Sequence, residues 1–248
     1  MCSLYKEQAL DLSGALNREG SVTFLLLVTS FVSLSCLEHL IGERKLFIVE
    51  RENGFYTTLP YFISKLVVDI FPLRIIPSVV LSSAIYFSMG FRTDSGDHFL
   101  WFILIITLFS VCMTLMVMCV GIVMESFGAS ALVSSVFILW FLVFGGALVQ
   151  TETIPDYLKP FGSISPFFLS FESLMVNELD HQSCVFSPTD ETGKKSSNSI
   201  SIQCRQYLFN AGLKPARFSL DVMQLGLICF LLVLVAWVLL NTFTKLAR

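Results

Sequence analysis

The chain has 248 residues, of which 54% are hydrophobic and only 14% are charged, and its formal net charge is −3. This composition excludes an ordinary water-soluble domain. The net charge itself says little about partners, because orientation in a membrane depends on local Lys and Arg residues rather than on the total. We expect no nucleic acid among the partners.

Five segments without any acidic or basic residue have the length needed to enter a bilayer. A bilayer core of roughly 30 Å takes about 20 apolar helical residues, with about 17 to 25 as the usual range. The sequence therefore predicts an all-α integral membrane protein with five transmembrane helices. They are Gly20–Leu37, Ile75–Phe91, Phe99–Met124, Phe127–Gln150 and Val222–Thr244.

The first predicted span leads into a charged segment with an apolar centre. We expect the span to end at Glu38 and residues 42–58 to form a hinge with a short amphipathic helix at the membrane surface. The run Leu46–Val49 lies between its charges, which a simple solvated loop does not need. The segment is typical of a site where another domain docks and passes on force or signal. Glu38 either pairs with a basic hinge residue or is an ordinary helix-end carboxylate.

One aromatic and one basic residue within the predicted membrane segments each allow two interpretations. Phe31 lies in the middle of the first span, where it either lines a ligand cavity or faces core or lipid. Arg74 lies between Pro72 and Pro77, which predict a bend in the helix. This arginine either faces an interior cavity or extends to the aqueous interface.

The segment that begins at Leu59 is too long for one simple crossing. From Leu59 to Phe91 it has 33 residues, which as a helix would measure about 50 Å. Lys65 and Asp69 lie in its first part at a spacing that permits a salt bridge.

The composition changes after Gln150. Ile154–Leu179 mixes prolines with phenylalanines, which predicts a re-entrant or interfacial helical segment buried against the outer side of the bundle. Ser183–Asn198 is polar and without periodicity, as in a hydrophilic loop. Cys184 and Cys204 both lie in the outer loop that contains this region, and an oxidising compartment favours a disulfide between them, with two free thiols as the alternative.

Basic residues set the expected orientation. Arg44, Lys45 and Arg51 follow the first span, and Lys245 and Arg248 follow the last, so both places are expected to be cytoplasmic. Five spans then leave the N-terminus outside. The expected organisation is an outer segment at 1–19, transmembrane helices with the hinge at 20–150, an outer loop with the re-entrant helix at 151–220, and the last helix with a cytoplasmic tail at 221–248.

Catalytic motifs are absent from the sequence. It contains no G-x-x-x-x-G-K-[ST] phosphate loop, no H-E-x-x-H and no G-x-S-x-G. His39, His98 and His181 are scattered along the chain. We therefore expect no catalytic residue, no metal site and no cofactor on this chain, which is not an enzyme by itself.

One long pattern resembles the membrane domain of ABC half-transporters of the G subfamily, and the family's multidrug exporters above all. It begins with Glu38, Glu43-Arg44-Lys45-Leu46-Phe47-Ile48-x-Glu50 and Gly54-Phe55-Tyr56. It continues with Tyr61-Phe62-x-x-Lys65-Leu66-x-x-Asp69-x-x-Pro72-x-Arg74-x-x-Pro77-Ser78. The resemblance extends from Asn17 to the C-terminus.

The resemblance implies roles for individual residues. The hinge would be the coupling helix that receives motion from a nucleotide-binding domain, through Glu38, Glu43, Arg44, Lys45, Phe47 and Glu50. Phe31 would stack on flat substrates in a central cavity, with Ser135, Ile138, Leu139 and Leu142 on the cavity wall. Arg74 would influence substrate selectivity, and Ala147 and Leu148 would stand where multidrug exporters have a paired-leucine plug. Cys184 and Cys204 would form the intrachain disulfide, whereas the cysteine that links two subunits has no counterpart.

The resemblance also implies a function. The chain would be the membrane part of an ATP-driven exporter of amphipathic or lipid-like small molecules or drugs, multi-pass in the plasma membrane, working as a homo- or heterodimer. ATP and Mg²⁺ would bind only to a nucleotide-binding domain that this sequence does not contain. The family places that domain and a first span before the part seen here, so we expect spans two to six of six, in a fragment or a natural truncation. The alternatives are a truncated subunit that modulates full-length half-transporters without transporting, and a permease served by a separate ATPase subunit.

Overall fold

The computed structural model describes residues 12–91, 96–124, 126–146, 162, 164–180, 183–186, 200–203, 208–209 and 211–246. At 12–13, 183–186, 200–203 and 243–246 it describes the backbone alone. This part of the chain is a bundle of helices with one short β-hairpin.

The described part of the chain begins with a long helical rod. Helix α1 (Leu12–Val32) and helix α2 (Cys36–Glu52) are joined by a 3₁₀ turn at Ser33–Ser35. From Gly14 to Glu52 the rod has 39 residues, which corresponds to about 58 Å of helix.

The prediction that this helix ends at Glu38 is wrong. The following residues include Glu, Arg, Lys and Leu, which favour a helix, and no proline interrupts them before Glu52. The rod ends instead where Gly54 takes a φ of +78°, a left-handed conformation that glycine adopts without steric cost. The predicted hinge is therefore largely the C-terminal part of the rod.

The second long unit contains a break in the α-helical pattern. Helix α3 (Thr58–Ile70) and helix α4 (Ile76–Met89) are separated by a π-helical turn at Phe71–Ile75. Pro72 has no backbone N–H to donate, so the regular hydrogen-bond ladder cannot continue through it. The distortion predicted around Arg74 takes this form.

The remaining helices follow in the order of the chain. Ser126 caps one of them, since its Oγ accepts a hydrogen bond from the backbone N–H of Ala129 at 3.4 Å. The elements are α5 (Gly96–Val123), α6 (Phe127–Val143), α7 (Pro166–Leu179), a 3₁₀ turn at Pro215–Arg217 and α8 (Phe218–Leu246).

Helix α5 is the centre of the bundle. It packs against α4, α7, α8 and the rod, and its buried side chains include Ile105, Phe109 and Met113. Helix α7 is buried along its whole length. Inside a bilayer, such packing relies on van der Waals contacts and hydrogen bonds, because lipid tails are as apolar as the side chains themselves.

Within the described residues, four helical units are long and apolar enough to cross a membrane: Gly14–Glu52, Thr58–Met89, Gly96–Val123 and Pro215–Thr242. The predicted span Phe127–Gln150 is a shorter apolar helix, Phe127–Val143, and residues 147–150 lie outside the described part of the chain. The all-α membrane fold is thus confirmed. The predicted burial of the segment that ends at Leu179 is confirmed from Pro166 onward.

A second local prediction, a loop from Ser183 onward, is also wrong. Ser183–Phe186, predicted as loop, forms strand β1, which pairs antiparallel with β2 (Ile200–Gln203). Cys184 lies opposite Ile202 in this register. Strands of four residues are too short for periodicity to reveal, although Val and Phe in β1 and Ile in β2 favour extended backbone.

Candidate functional site

The corner between the rod and α3 is held by stacked aromatic rings. The rings of Phe47 and Tyr61 lie 4.0 Å apart between centroids and 23° from parallel. Tyr56, in the turn, stacks more loosely on Phe47 at 6.1 Å. The Tyr56 hydroxyl donates a 2.6 Å hydrogen bond to Glu50 Oε2. Burial, together with this bond, raises the pKa of Tyr56 to about 12, so the phenol remains a donor at physiological pH.

A buried lysine fastens the same corner electrostatically. Lys65 of α3 is 6% exposed, and its Nζ lies 2.7 Å from Glu43 Oε2 on the rod and 3.5 Å from Asp69 Oδ2. The Lys65–Asp69 pair was predicted from spacing and is confirmed. The contact with Glu43, 22 residues away in sequence, joins the two sides of the corner.

The rod is also attached to the end of α5. Arg44 Nη1 donates a 2.7 Å hydrogen bond to the carbonyl oxygen of Met124, directly after α5, where the helix leaves carbonyl groups unsatisfied and favours positive charge. Gly121 lies so close to the rod that an added Cβ would stand 2.8 Å from Cδ2 of Leu37 and of Leu40. The rod, α3 and α5 therefore meet as one connected corner.

Arg74 connects the two breaks in helical geometry. Its side chain is 3% exposed, so it does not extend to an aqueous surface. Nη1 donates to the Val32 carbonyl oxygen and Nη2 to Ser35 Oγ, both at 2.9 Å. The π turn that carries Arg74 is thus tied to the 3₁₀ turn in the rod.

The remaining hinge residues are mostly solvent-facing. Glu38 and Lys45 are exposed on α2, and Glu50 is half-buried beside Tyr56. Among the residues that the structure describes, Glu38 forms no salt bridge.

The predicted cavity residues lie on α1 and α6, two helices in contact, and differ in exposure. Phe31 is 39% and Leu139 49% exposed, whereas Ile138 is fully buried and Leu142 nearly so. Ser135 is half-buried and donates its hydroxyl to the Ala131 carbonyl oxygen at 2.7 Å.

An open groove lies between these two helices, next to the predicted cavity residues. Its volume is about 430 Å³, and it includes Leu142 together with Leu16, Glu19, Gly20, Thr23, Phe24 and Leu27 of α1. Of the remaining predictions, Ala147, Leu148 and Cys204 lie outside the described residues, and only the backbone of Cys184 is described.

Polar contacts of the buried helix α7 escaped the sequence reasoning. Glu178 Oε1 lies 3.5 Å from Nε of Arg18 on α1. Asn177 Nδ2 donates to the His98 carbonyl oxygen on α5 at 2.9 Å. Glu172 Oε1 accepts a 2.7 Å bond from the backbone N–H of Lys214. The only available signal was the run of polar residues within an otherwise apolar helix.

Burial changes the acid–base behaviour of one of these groups. Glu172 is 2% exposed, and its burial raises the pKa of its carboxyl, opposed by the hydrogen bond from Lys214 and by the charges of Arg217 and Lys214. Helix α7 is therefore anchored to three separate parts of the bundle by groups that need partners because they are buried.

Comparison with known proteins agrees with this architecture. Residues 3–179 match the family of ABC-2 type transporters. ABC transporter G family member 24 of Dictyostelium discoideum is 33% identical over 87% of this chain and 18% of its own length. The broad substrate specificity ATP-binding cassette transporter ABCG2 of Mus musculus is 29% identical over 93% of this chain and 35% of its own length.

A probable ATP-dependent permease of Saccharomyces cerevisiae is 34% identical over 71% of this chain and 17% of its own length. The chain therefore spans about a third or less of these relatives. The matched region, the helical membrane architecture and the G-family relatives agree: the chain belongs to the ABC-2 type transporter family and is a membrane domain of the ABCG kind.

Proposed function

We propose that the chain is the membrane-spanning part of an ATP-driven exporter that moves amphipathic or lipid-like small molecules. In this proposal, ATP and Mg²⁺ bind to a nucleotide-binding domain that docks at the hinge. The hinge and the C-terminus face the cytoplasm, in agreement with the basic residues at both places, and the membrane is the plasma membrane.

The observation that carries the proposal is the fastened corner. Lys65 ties α3 to the rod through Glu43 at 2.7 Å, and Arg44 ties the rod to the end of α5 at 2.7 Å. A push on the hinge is then passed to three helices together instead of being absorbed by a loose loop. A device that couples nucleotide closure to helix movement needs this stiffness.

The hinge also presents a surface suited to docking. Leu46, Val49 and Phe55 are 60%, 55% and 75% exposed, next to exposed Lys45 and Glu52. Apolar side chains rimmed by charges are typical of protein–protein contact sites. We assign this docking surface (Leu46, Val49, Phe55) to the nucleotide-binding domain.

The substrate class follows from the face shared by α1 and α6. Phe31 and Leu139 expose apolar surface there, and the groove next to them has one acidic residue, Glu19. Aromatic and aliphatic walls with few fixed charges suit flat amphipathic molecules. A second half-transporter, identical or different, would close this face into a cavity.

Transport would proceed by a population shift between inward- and outward-open states. Nucleotide closure can favour one state only by interacting differently with the two. The docking surface supplies that difference, because it lies on the rod and its position relative to the nucleotide-binding domain changes with the orientation of the rod.

The test uses inside-out membrane vesicles that contain the protein together with its nucleotide-binding domain. We expect uptake of a rhodamine dye with ATP and Mg²⁺ and none with ADP. The double variant Val49→Ser/Phe55→Ser should lower the initial rate about tenfold, equivalent to about 1.4 kcal/mol of lost coupling. Asn53→Ser, an exposed polar change in the same segment, is the matched control. Equal uptake with ATP and ADP would overturn the proposal.

A further inference from the structure

Helices α5 and α8 bring two cysteines together inside the bundle. Cys112 of α5 is fully buried and Cys229 of α8 is 9% exposed. Their side chains lie close enough for the two thiols to influence each other. Both are free cysteines.

A second contact fixes this placement independently. Cys229 Sγ donates to the Leu108 carbonyl oxygen at 3.6 Å, one turn before Cys112 on α5. The two helices pack extensively and run in the same direction, with Trp101 against Phe218 near their starts. The thiol pair therefore lies within a long helix–helix contact and not at a frayed end.

We propose that Cys112 and Cys229 form a modification site, a dithiol that an apolar organic hydroperoxide converts to an interhelical disulfide. The Cys229 thiol, the more exposed of the two, attacks the peroxide oxygen, which gives a sulfenic acid and releases the alcohol. The second thiol attacks the sulfenic sulfur and releases water. Two thiols lose two protons and two electrons to form one S–S bond, and the hydroperoxide is reduced to an alcohol and water.

The surroundings select the class of oxidant. Both helices belong to spans that are apolar enough to lie in the bilayer, so the reagent must dissolve in lipid to reach the sulfur atoms. A disulfide is neutral and carries no cost of charge in such a medium, whereas the thiolate that starts the reaction does. The reaction is thus slow, and it reports prolonged lipid peroxidation.

The chain contains a matched control on the same helix face. Cys119 lies two turns after Cys112, and its Sγ donates to the Leu232 carbonyl oxygen of α8 at 3.8 Å. It faces the same partner helix, but the only cysteine of α8 is Cys229. Cys119 should therefore not form a disulfide with α8.

The experiment exposes the full protein in its native membrane to cumene hydroperoxide. Remaining thiols are blocked, the protein is digested, and disulfide-linked peptides are identified by mass spectrometry with and without dithiothreitol. We expect a dithiothreitol-sensitive peptide pair that contains Cys112 and Cys229 and has lost two hydrogen atoms. Hydrogen peroxide at the same concentration should produce this pair at least tenfold more slowly.

Serine variants identify which two cysteines form the disulfide. Cys112→Ser and Cys229→Ser should each abolish the linked peptide, whereas Cys119→Ser should leave its yield unchanged. Absence of the Cys112–Cys229 peptide from oxidised wild-type protein, or its replacement by a pair that contains Cys119, would overturn the proposal. Because the readout is a covalent bond, it does not depend on whether the protein exports any substrate.

Discussion

Among single side chains, Lys65 pairs with two carboxylates that differ in burial. Asp69 is 5% exposed, and Lys65 is its ion-pair partner within the described residues, whereas Glu43 has a half-exposed side chain. Lys65→Met should lower the free energy of unfolding by about 3–5 kcal/mol, since it leaves a buried carboxylate uncompensated. Glu43→Gln should cost about 0–1 kcal/mol, as for an exposed ion pair. Thermal unfolding of the detergent-purified protein measures both.

A compensating change separates this cause from simple loss of packing. Adding Asp69→Asn to Lys65→Met removes the stranded charge, so the double variant should recover at least half of the lost stability. If Asp69→Asn gives no recovery, the buried charge is not the reason for the effect.

Arg74 should be sensitive to replacement by lysine. Its guanidinium reaches Val32 and Ser35 at once, a geometry that a single ammonium group cannot reproduce. Arg74→Lys should cost about 1.5–3 kcal/mol, the value of one hydrogen bond to a charged group. Hydrogen exchange should speed up at the 3₁₀ turn, Ser33–Ser35. Ser35→Ala, which removes one bond, should affect the same amides less than Arg74→Met, which removes both, and equal exchange in all variants would contradict this role.

Among the helices, α7 should make stability depend on pH through Glu172. Burial raises the pKa of this carboxyl, so its neutral form is favoured in the folded state. Its contribution to stability is therefore complete below the ordinary carboxyl pKa and is lost as pH rises through the folded pKa. Glu172→Gln keeps an oxygen for the Lys214 N–H but cannot ionise.

The measurement is the difference in melting temperature between the variant and the wild type across acid and neutral pH. The two proteins should be similar at low pH, and Glu172→Gln should become relatively more stable as pH rises. A difference that is constant with pH would show that Glu172 does not titrate in the folded protein.

The close contact between α5 and the rod predicts that adding a single methyl group at residue 121 lowers the stability of the protein. A Cβ on residue 121 would lie 2.8 Å from two leucine side-chain carbons, so Gly121→Ala should cost about 1–3 kcal/mol through overpacking. Gly226→Ala is the matched control on α8, with nothing within 4 Å of the new Cβ. It should be neutral or stabilise by about 0.5–1 kcal/mol. Equal melting temperatures for the two variants would exclude a tight approach.

The helices were predictable from composition to different extents. Uninterrupted apolar runs identified the spans because a bilayer imposes their length. The end of the rod was misplaced because the change from apolar to charged residues at Glu38 marks a membrane surface and does not break a helix, whereas Gly54 does. Spacing within one helix revealed Lys65–Asp69. Lys65–Glu43 and Arg74–Val32 depend on how two helices meet, which no local pattern contains.

In the bundle as a whole, the helices that are held together by polar contacts are different from the face that is left exposed. The corner at Lys65 and the α7 anchors hold the helices to one another, whereas the shared face of α1 and α6 leaves Phe31 and Leu139 exposed. Helix α8 also exposes large apolar residues such as Leu231. Exposure alone does not distinguish a face that meets lipid from one that meets a partner subunit, because both are apolar.

The proposed dimer resolves this ambiguity in a way that crosslinking can test. If the face of α1 and α6 meets a second half-transporter, cysteines introduced there lie near their counterparts across the two-fold axis, because such an interface places the same patch on both subunits. Leu139→Cys should therefore give a dimer on treatment with a short bifunctional thiol reagent in native membranes. Leu231→Cys, which is 51% exposed on α8, should give several-fold less because its surroundings are lipid. Equal dimer yields for the two variants would mean random collision, and would remove the α1 and α6 face as the wall of a shared cavity.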